Sequence, residues 1–149
     1  MSSEVEFVVR PMKLEDLSAV LPFSESLHLQ YDAQKYDFMW RVDWLLDFMA
    51  KPSNLCLTAC RPLPVGYLLA ETRSEEYSKI KFLEVREIYV ESGSRLLGCG
   101  TMLMNEARIQ AERLQCRYIT VKIHEGIPSA GFFNGLGFLA FSTEYRAET

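Results

Sequence analysis

Short runs of apolar and β-branched residues alternate along the chain with longer stretches of helical periodicity. The short runs predict six strands, at residues 5–9, 55–60, 65–71, 82–90, 118–123 and 139–145. One helix is predicted at residues 38–50, a second follows the glycine turn at residues 93–100, and a short third helix begins at Pro128. A first helix opens at residues 13–17 and is weakened by Pro22, so residues 24–37 are expected to form a loop or a broken second helix. The order β-α-α-β-β-β-α-β-α-β predicts a mixed α/β fold.

The helix at residues 38–50 carries apolar side chains on two sides. At 100° per residue, one face is predicted to meet the core, and it consists of Phe38, Val42, Leu45, Leu46 and Met49. A second stripe lies roughly opposite and consists of Trp40, Trp44 and Phe48. Burial under the preceding loop, an aromatic wall of a substrate pocket and a homodimer surface all explain the second stripe.

Composition and charge narrow the class of protein. A chain of 149 residues with 48% hydrophobic and 24% charged residues is typical of a single soluble domain, spanning residues 1–149. It has neither an apolar run long enough to span a membrane nor a signal segment, so a cytoplasmic protein without a membrane partner is expected. The four cysteines form no Cys-x-x-Cys pair, which argues against a metal site or a disulfide framework.

The charge distribution disfavours nucleic acid as a partner. The net charge is −4, and the first 50 residues hold nine acidic and four basic residues. A cationic or amine substrate beside this acidic third is electrostatically plausible, although acidic surface also simply keeps a protein soluble.

The most informative stretch is the turn at residues 93–100, which joins the strand at 82–90 to an amphipathic helix. Helix N-terminal amides point outward at the positive end of the dipole, and Arg95 adds a fixed charge. Gly98 and Gly100 let a ligand approach the backbone. Arg95-x-x-Gly98-x-Gly100 therefore predicts a phosphate-binding turn rather than a turn that only packs strand against helix.

This motif resembles the pyrophosphate-binding motif of the GNAT superfamily of N-acetyltransferases. Val65-Gly66-Tyr67 and the late Gly137-Phe138 match the same family, and the resemblance covers residues 5–145. It implies an α/β (α+β) GNAT-type domain, with a mixed, mostly antiparallel central sheet splayed between strands 4 and 5 and flanked by helices. It also implies acetyl-CoA as cosubstrate and a small-molecule or peptide amine as acceptor, with direct attack in a ternary complex.

The resemblance carries over to particular residues. Pantetheine and thioester would be held by the main chain of Ile88, Tyr89 and Val90. The pyrophosphate would be held by Arg95 and by the turn residues Leu96, Leu97, Gly98, Cys99, Gly100 and Thr101. Cys99 within the turn is read as filling a position that the motif leaves open, because the sequence pairs no histidine with it.

Candidate catalytic groups are less well defined. The general base is expected to be Glu84 or Glu87, which strand alternation would place on opposite faces, and His124 is an alternative. For either glutamate, an exposed strand charge paired with Lys81 or Arg86 is an equally good interpretation. An aromatic, acid-edged acceptor pocket is expected from Tyr31, Tyr36 and Trp44.

Three positions depart from the family pattern. Phe133 stands where many relatives have a tyrosine that protonates the leaving thiolate, Glu125-Gly126 stands where an asparagine is common, and Ser92 replaces a proline. The proton would then come from solvent or from another tyrosine, the candidates being Tyr89, Tyr118 and Tyr145. A weakly active or inactive acetyl-CoA sensor of the same fold, or another phosphate-binding α/β domain, are the alternatives to an enzyme.

Overall fold

The computed structural model of the protein describes residues 6–29, 36–95, 97–122, 130–147 and 149. Within these ranges there are four α-helices, α1 Leu17–Leu29, α2 Phe38–Ala50, α3 Cys99–Arg113 and α4 Ala130–Gly135. The described strands are β1 Val8–Pro11, β2 Asn54–Cys60, β3 Pro64–Ser74, β4 Lys81–Val90 and β5 Tyr118–Val121. No helix of the described part is both long and apolar enough to cross a membrane.

The strands form one mixed sheet in the order β1-β2-β3-β4-β5. The first four are antiparallel neighbours, and β5 joins β4 in parallel, which requires the crossover that α3 provides. The β4–β5 pairing runs from Phe82↔Tyr118 to Val85↔Val121. Beyond it β4 continues to Val90 while still paired with β3. Among the described residues, the pairing of β4 with β5 therefore ends at Val85 and Val121.

A β-bulge lies in β4 at Arg86. Leu69 of β3 pairs with Glu87 and Ala70 pairs with Val85, so two β4 steps oppose a single β3 step. The extra residue resets the alternation of side chains along the strand. Glu84 and Glu87 consequently lie on the same face of the sheet, and the expectation that they lie on opposite faces was wrong.

Each face of the sheet carries its own apolar core. On one face α3 packs against the strands through a cluster that includes Leu83, Val85, Leu103 and Met104. On the other face α1 and α2 pack through a cluster that includes Val20, Leu45, Tyr67 and Leu69. The bulge explains why Ile88 and Val90 join the first cluster whereas Tyr89 joins the second.

The predicted bounds of α2 are confirmed, but the predicted phase was wrong. Its buried residues are Arg41, Leu45 and Phe48, spaced i, i+4 and i+7, whereas Phe38 and Leu46 are exposed. An apolar pattern could not locate this face, because a charged residue occupies its first position. The supposed aromatic stripe is divided: Trp40 is 61% exposed, Trp44 is half-buried and Phe48 is buried.

The first helix is longer than expected. A short 3-10 turn at Leu14–Asp16 leads into α1, which continues through Pro22 to Leu29 instead of ending in a loop after residue 23. Pro22 has no N–H to donate to the carbonyl of Ser18, one turn earlier. Both residues are exposed, so water can reach that carbonyl.

The last predicted strand does not form. Residues 139–145 have no strand structure, and Leu139, Phe141 and Tyr145 are 88%, 97% and 92% exposed. A strand forms only when a neighbouring strand pairs with it. Among the described strands, β5 pairs with β4 alone, so it does not pair with residues 139–145. The predictions that concern Tyr31, Leu96, His124, Glu125-Gly126 and Pro128 fall outside the described residues.

Candidate active site

The part of β4 beyond its described pairing with β5 leads to the start of α3. Within the described part, main-chain groups of residues 86–90 on the β5 side have no strand to pair with. A 3-10 turn at Ser92–Ser94 and Gly98 then connect this end of β4 to α3. The end of β4 and the N-terminus of α3 are thus brought together by a short connection.

Gly98 holds the N-cap position of α3 with a φ of 86°. A Cβ placed there would meet nothing within 4 Å, so glycine is favoured by backbone conformation and not by crowding. The first ladder bond of the helix runs from the Met102 N–H to the Gly98 carbonyl, at 3.0 Å. The amides of Cys99, Gly100 and Thr101 precede that bond, which leaves them available to an anion.

Arg95 lies across the end of β4. Its Nε donates to the Val90 carbonyl at 2.7 Å, and its guanidinium carbon lies 5.3 Å from the centre of the Tyr89 ring. The side chain is nevertheless exposed, so the positive charge remains at the surface between β4 and α3. Arg95 therefore holds a positive charge at the surface, between the end of β4 and the start of α3.

Gly100 lies close to a side chain of another element. A Cβ at this position would come within 3.2 Å of Cζ of Phe132 and 3.9 Å of Cγ2 of Val90. These contacts show that the missing side chain lets Phe132 pack against α3. The role of Gly100 in phosphate approach stays a prediction.

Two other turn residues are placed clearly. Leu97 is exposed and Thr101 is half-buried. Cys99 is buried, and burial raises the pKa of its thiol to about 11. Cys99 therefore stays a protonated packing residue at neutral pH and is a poor nucleophile.

Glu87 is the centre of a buried polar cluster, which we call the Glu87 cluster and which consists of Glu87, Arg41, Tyr67, Ser24 and His28. Nη2 of Arg41 donates to both carboxylate oxygens at 2.5 Å, and the Tyr67 hydroxyl donates to Oε1 at 2.8 Å. Nε of Arg41 donates to Oγ of Ser24 at 2.8 Å. Nε2 of His28 lies 3.4 Å from Oε1 of Glu87. The cluster joins α1, α2, β3 and β4.

The cluster keeps Glu87 ionised. Burial alone would raise its pKa, but His28 and Arg41 outweigh that effect and hold the pKa of Glu87 below its usual value. Burial, together with the Glu87 charge, raises the pKa of Tyr67 far above its usual value, so Tyr67 keeps its proton and donates it. A carboxylate with a lowered pKa that accepts hydrogen bonds from Arg41 and Tyr67 is a weak base. Glu87 is better suited to hold other groups in place.

Glu84 is also buried and ion-paired. Nη1 of Arg73 lies 2.9 Å from Oε2 of Glu84, and Nζ of Lys122 lies 3.9 Å from Oε1. The expected pairing of Glu84 or Glu87 with Lys81 or Arg86 is therefore replaced by other partners in both cases. Arg86 instead contacts Glu71, at 2.9 Å.

The structure places two of the predicted acceptor residues beside the Glu87 cluster. The Tyr36 ring centre lies 5.9 Å from that of His28, and burial raises the pKa of the Tyr36 hydroxyl. The Arg41 guanidinium carbon lies 4.3 Å from the centre of the Trp44 ring, which stacks on Phe48. Tyr36 and Trp44 thus flank the cluster from the segment before α2 and from α2 itself.

The candidate proton donors are spread over the molecule. Phe133 is buried in the α3-side core, where its ring contacts Phe132 and Phe138, so a packing role accounts for it. The Tyr118 hydroxyl donates to Glu75 at 2.8 Å, and Tyr145 lies on the exposed C-terminal segment. Of the three candidate tyrosines, Tyr89 alone lies on the last residues of β4, and its ring stacks on Phe23 of α1 at 5.5 Å.

Sequence reasoning missed most of the Glu87 cluster. Arg41, Ser24, Tyr67 and His28 come from three separate elements, α2, α1 and β3, and only their tertiary contacts bring them to Glu87. The one available signal was Arg41, which keeps helical spacing with Leu45 and Phe48. No group of three His, Cys, Asp or Glu side chains in the described ranges could hold a metal ion.

Comparisons with known proteins identify the family of the chain. The family model for the Acetyltransferase (GNAT) family matches residues 20–138, whereas no curated protein matches. Among solved structures, a transcriptional regulator from Bacillus halodurans C-125 has a TM-score of 0.82 at 19% identity, covering 97% of this chain and 100% of that one.

Two further neighbours carry acetyltransferase descriptions. An aminoglycoside acetyltransferase from an uncultured soil metagenomic sample, in complex with sisomicin, has a TM-score of 0.75 at 12% identity, covering 96% of each chain. A ribosomal-protein-alanine N-acetyltransferase from Brucella melitensis biovar Abortus 2308 has a TM-score of 0.73 at 15% identity, covering 97% of this chain and 100% of that one. At these identities the neighbours show the fold. With the family model spanning most of its length, the chain belongs to the GNAT family of acetyltransferases.

Proposed function

We propose that residues 1–149 act as one acetyl-CoA-dependent N-acetyltransferase domain that modifies an amine. The observation that carries the proposal is the end of β4, which has no neighbour on its β5 side among the described residues, next to the N-terminus of α3, with the Arg95 charge between them. This arrangement offers main-chain donors to an extended ligand at one end and to an anion at the other. Both are needed to bind a pantetheine arm and a pyrophosphate.

Each part of the site has a distinct task. The main chain of residues 88–90 would orient the pantetheine arm, and the first amides of α3 with Arg95 would hold the pyrophosphate. Bound acetyl-CoA would supply an acetyl group activated as a thioester. The leaving thiolate would take its proton from the hydroxyl of Tyr89, at the end of β4, or from solvent.

The acceptor is proposed to be a primary amine, approaching from the α1–α2 side of β4. Tyr36 and Trp44 flank the Glu87 cluster on that side, and their aromatic faces suit a cationic or apolar amine. Related folds act on both small and macromolecular amines, since one neighbour was solved with sisomicin and another is named for a ribosomal-protein alanine. Both acceptor classes therefore belong in an activity panel.

Arg95→Ala tests the coenzyme site, with Arg113→Ala as the matched control. Arg95 is exposed, so its loss should leave the fold intact, and Arg113 lies at the opposite end of the same helix. Isothermal titration calorimetry should show coenzyme A affinity falling about tenfold in Arg95→Ala, the effect of one charge-assisted contact, and unchanged in Arg113→Ala. Equal affinity in the two variants would contradict this placement. Gly100→Val is a poorer probe, because it would also displace Phe132.

A coenzyme A sensor is the second candidate. It is favoured by Phe133, which is buried in the core and carries no hydroxyl. Release of free thiol from acetyl-CoA, measured with a panel of amines and peptides, separates the two functions. An enzyme shows amine-dependent release, whereas a sensor binds coenzyme A with no release above the amine-free rate.

A further inference from the structure

Helix α2 carries apolar side chains on the side that faces solvent. Met39 is 68% exposed, Trp40 is 61% exposed and Leu46 is 39% exposed. At 100° per residue these three lie within about one third of the helix circumference, together with Asp43 and Asp47, which are also exposed. We call this set of five residues the α2 outer face. A helix that only packs on a core turns polar side chains to solvent, so the apolar ones here indicate a partner.

The α2 outer face adjoins the acceptor side of β4. Trp40 precedes Trp44 by four residues, which makes the two side chains neighbours on the helix surface. The Trp44 ring centre lies 4.3 Å from the guanidinium carbon of Arg41, and Arg41 binds Glu87 of β4. The outer face thus begins one helical turn from Trp44, on the side from which the acceptor amine is proposed to approach.

The charge of the α2 outer face selects the kind of partner. Among the described residues, neither Asp43 nor Asp47 forms an ion pair. Arg41, the one basic residue within α2, is buried against Glu87. The exposed charge of this helix is therefore negative. It favours a partner that carries positive charge beside apolar side chains.

Two other occupants suit this face less well. A second copy in a symmetric dimer would place the face against itself, so that Asp43 and Asp47 of the two chains repel one another. An anionic lipid surface would repel the same carboxylates. An arginine or lysine side chain of a polypeptide, in contrast, can lie on the Trp40 ring and pair with a carboxylate beside it.

From these observations we infer that the α2 outer face binds a basic polypeptide segment that flanks the acceptor amine, so that the acceptor is a peptide or a protein. The inference rests on the proposed function and narrows its acceptor class to polypeptide amines. Met39 and Trp40 supply the apolar contact, since methionine and tryptophan are enriched at protein–protein interfaces. Asp43 and Asp47 supply the complementary charge.

The kinetic test uses two amines that share their N-terminal residue. One is a short synthetic peptide of leucine and arginine residues with a free N-terminal leucine, and the other is leucine amide. In Trp40→Ala the KM for the peptide should rise about tenfold with kcat unchanged, because the lost contact is away from the reacting atoms. The KM for leucine amide should keep its wild-type value. Tyr77→Ala, which removes an exposed ring between β3 and β4, should change neither KM.

Peptide binding can also be measured without turnover. Isothermal titration calorimetry of the same peptide, with coenzyme A present, should show about tenfold weaker affinity in Trp40→Ala. The double variant Asp43→Asn/Asp47→Asn should bind about threefold more weakly, with a smaller difference at high salt. Glu76→Gln/Glu112→Gln removes the same charge from exposed positions elsewhere and should keep the wild-type affinity.

Two outcomes overturn the inference. One is a peptide affinity that is undetectable in wild type, or equal in wild type and Trp40→Ala, while leucine amide is acetylated. The proposed function would then stand with a small amine as acceptor. The other is a wild-type dimer that Trp40→Ala converts to a monomer without weaker peptide binding, because a second copy would then cover the face.

A different result separates this inference from the proposed function. A wild-type protein that binds the peptide through Trp40 but releases no thiol with any amine would contradict the proposed function. It would also contradict the assignment of this face to an acceptor.

Discussion

The two faces of the sheet are built on different principles. The α3 face is closed by apolar side chains such as Leu83, Leu103 and Met104, all fully buried. The α1–α2 face buries charge as well. Arg41 and Glu84 are buried there, and the Glu87 side chain is only 9% exposed. One face is therefore held by area removed from water, and the other depends partly on specific partners.

This contrast bears on function. A buried ion pair adds little net stability compared with well-packed apolar residues, because desolvation offsets most of the attraction. The Arg41–Glu87 pair therefore stabilises the fold less than apolar side chains of similar volume would. It lies on the α1–α2 side of β4, from which the proposed acceptor amine would approach. In the proposed function, the α3 side contributes only the main chain at the start of the helix.

Removing one member of the buried pair should give the largest effect. Arg41→Met leaves Glu87 buried without its counter-charge and should lower the free energy of unfolding by about 3–5 kcal/mol. The double variant Arg41→Met/Glu87→Leu should recover most of that loss, because no lone charge remains. Denaturant titration measures both.

Leu103→Ala on the α3 face is the matched comparison. It should lower the free energy of unfolding by about 2–5 kcal/mol because it leaves a cavity. Adding Glu87→Leu should not recover that loss. If Arg41→Met/Glu87→Leu loses as much free energy of unfolding as its two single changes together, the two faces do not differ in this way.

Asp16 should give an intermediate, pH-dependent effect. Two hydrogen bonds from Arg10, at 2.7 and 2.8 Å, hold the pKa of Asp16 below its usual value, against burial that alone would raise it. Because the folded pKa is lowered, the stabilisation is complete above the unfolded value of about 3.9 and is lost as pH falls through the folded pKa. Asp16→Asn should lose about 2 kcal/mol at pH 7 and should show a flatter stability curve in acid.

The control for Asp16 is the neighbouring exposed carboxylate, Glu15. Glu15→Gln should change the free energy of unfolding by less than about 0.5 kcal/mol and should keep the wild-type slope below pH 4. Unfolding free energies measured from pH 7 to pH 2 check both variants. Identical acid slopes in Asp16→Asn and wild type would show that Asp16 does not carry the linkage.

The smallest effect is expected outside both faces. Phe141 is 97% exposed on the C-terminal segment, so Phe141→Ala should change stability by less than about 0.5 kcal/mol. Thermal unfolding and light scattering, each over a range of protein concentration, check this prediction. A larger loss with a fall in mass would show instead that a second copy covers this segment.

The sequence alone determined the features that local chemistry sets. The bounds of α2, the first five strands to within a few residues and the glycine turn before α3 all follow from periodicity and from backbone preferences within a few neighbouring residues. Gly98 is the clearest case, because its positive φ is a property of one residue. The coenzyme-binding prediction rests on such local features.

The tertiary structure decided everything that depends on register and on distant partners. The bulge at Arg86 exists only in relation to β3, yet it places Glu84 and Glu87 on one face. Arg41 can be buried because Glu87 and Ser24, far away in the sequence, satisfy its donors. Residues 139–145 have the pattern of a strand, but a strand also needs a neighbour, and a pattern along one chain cannot supply one.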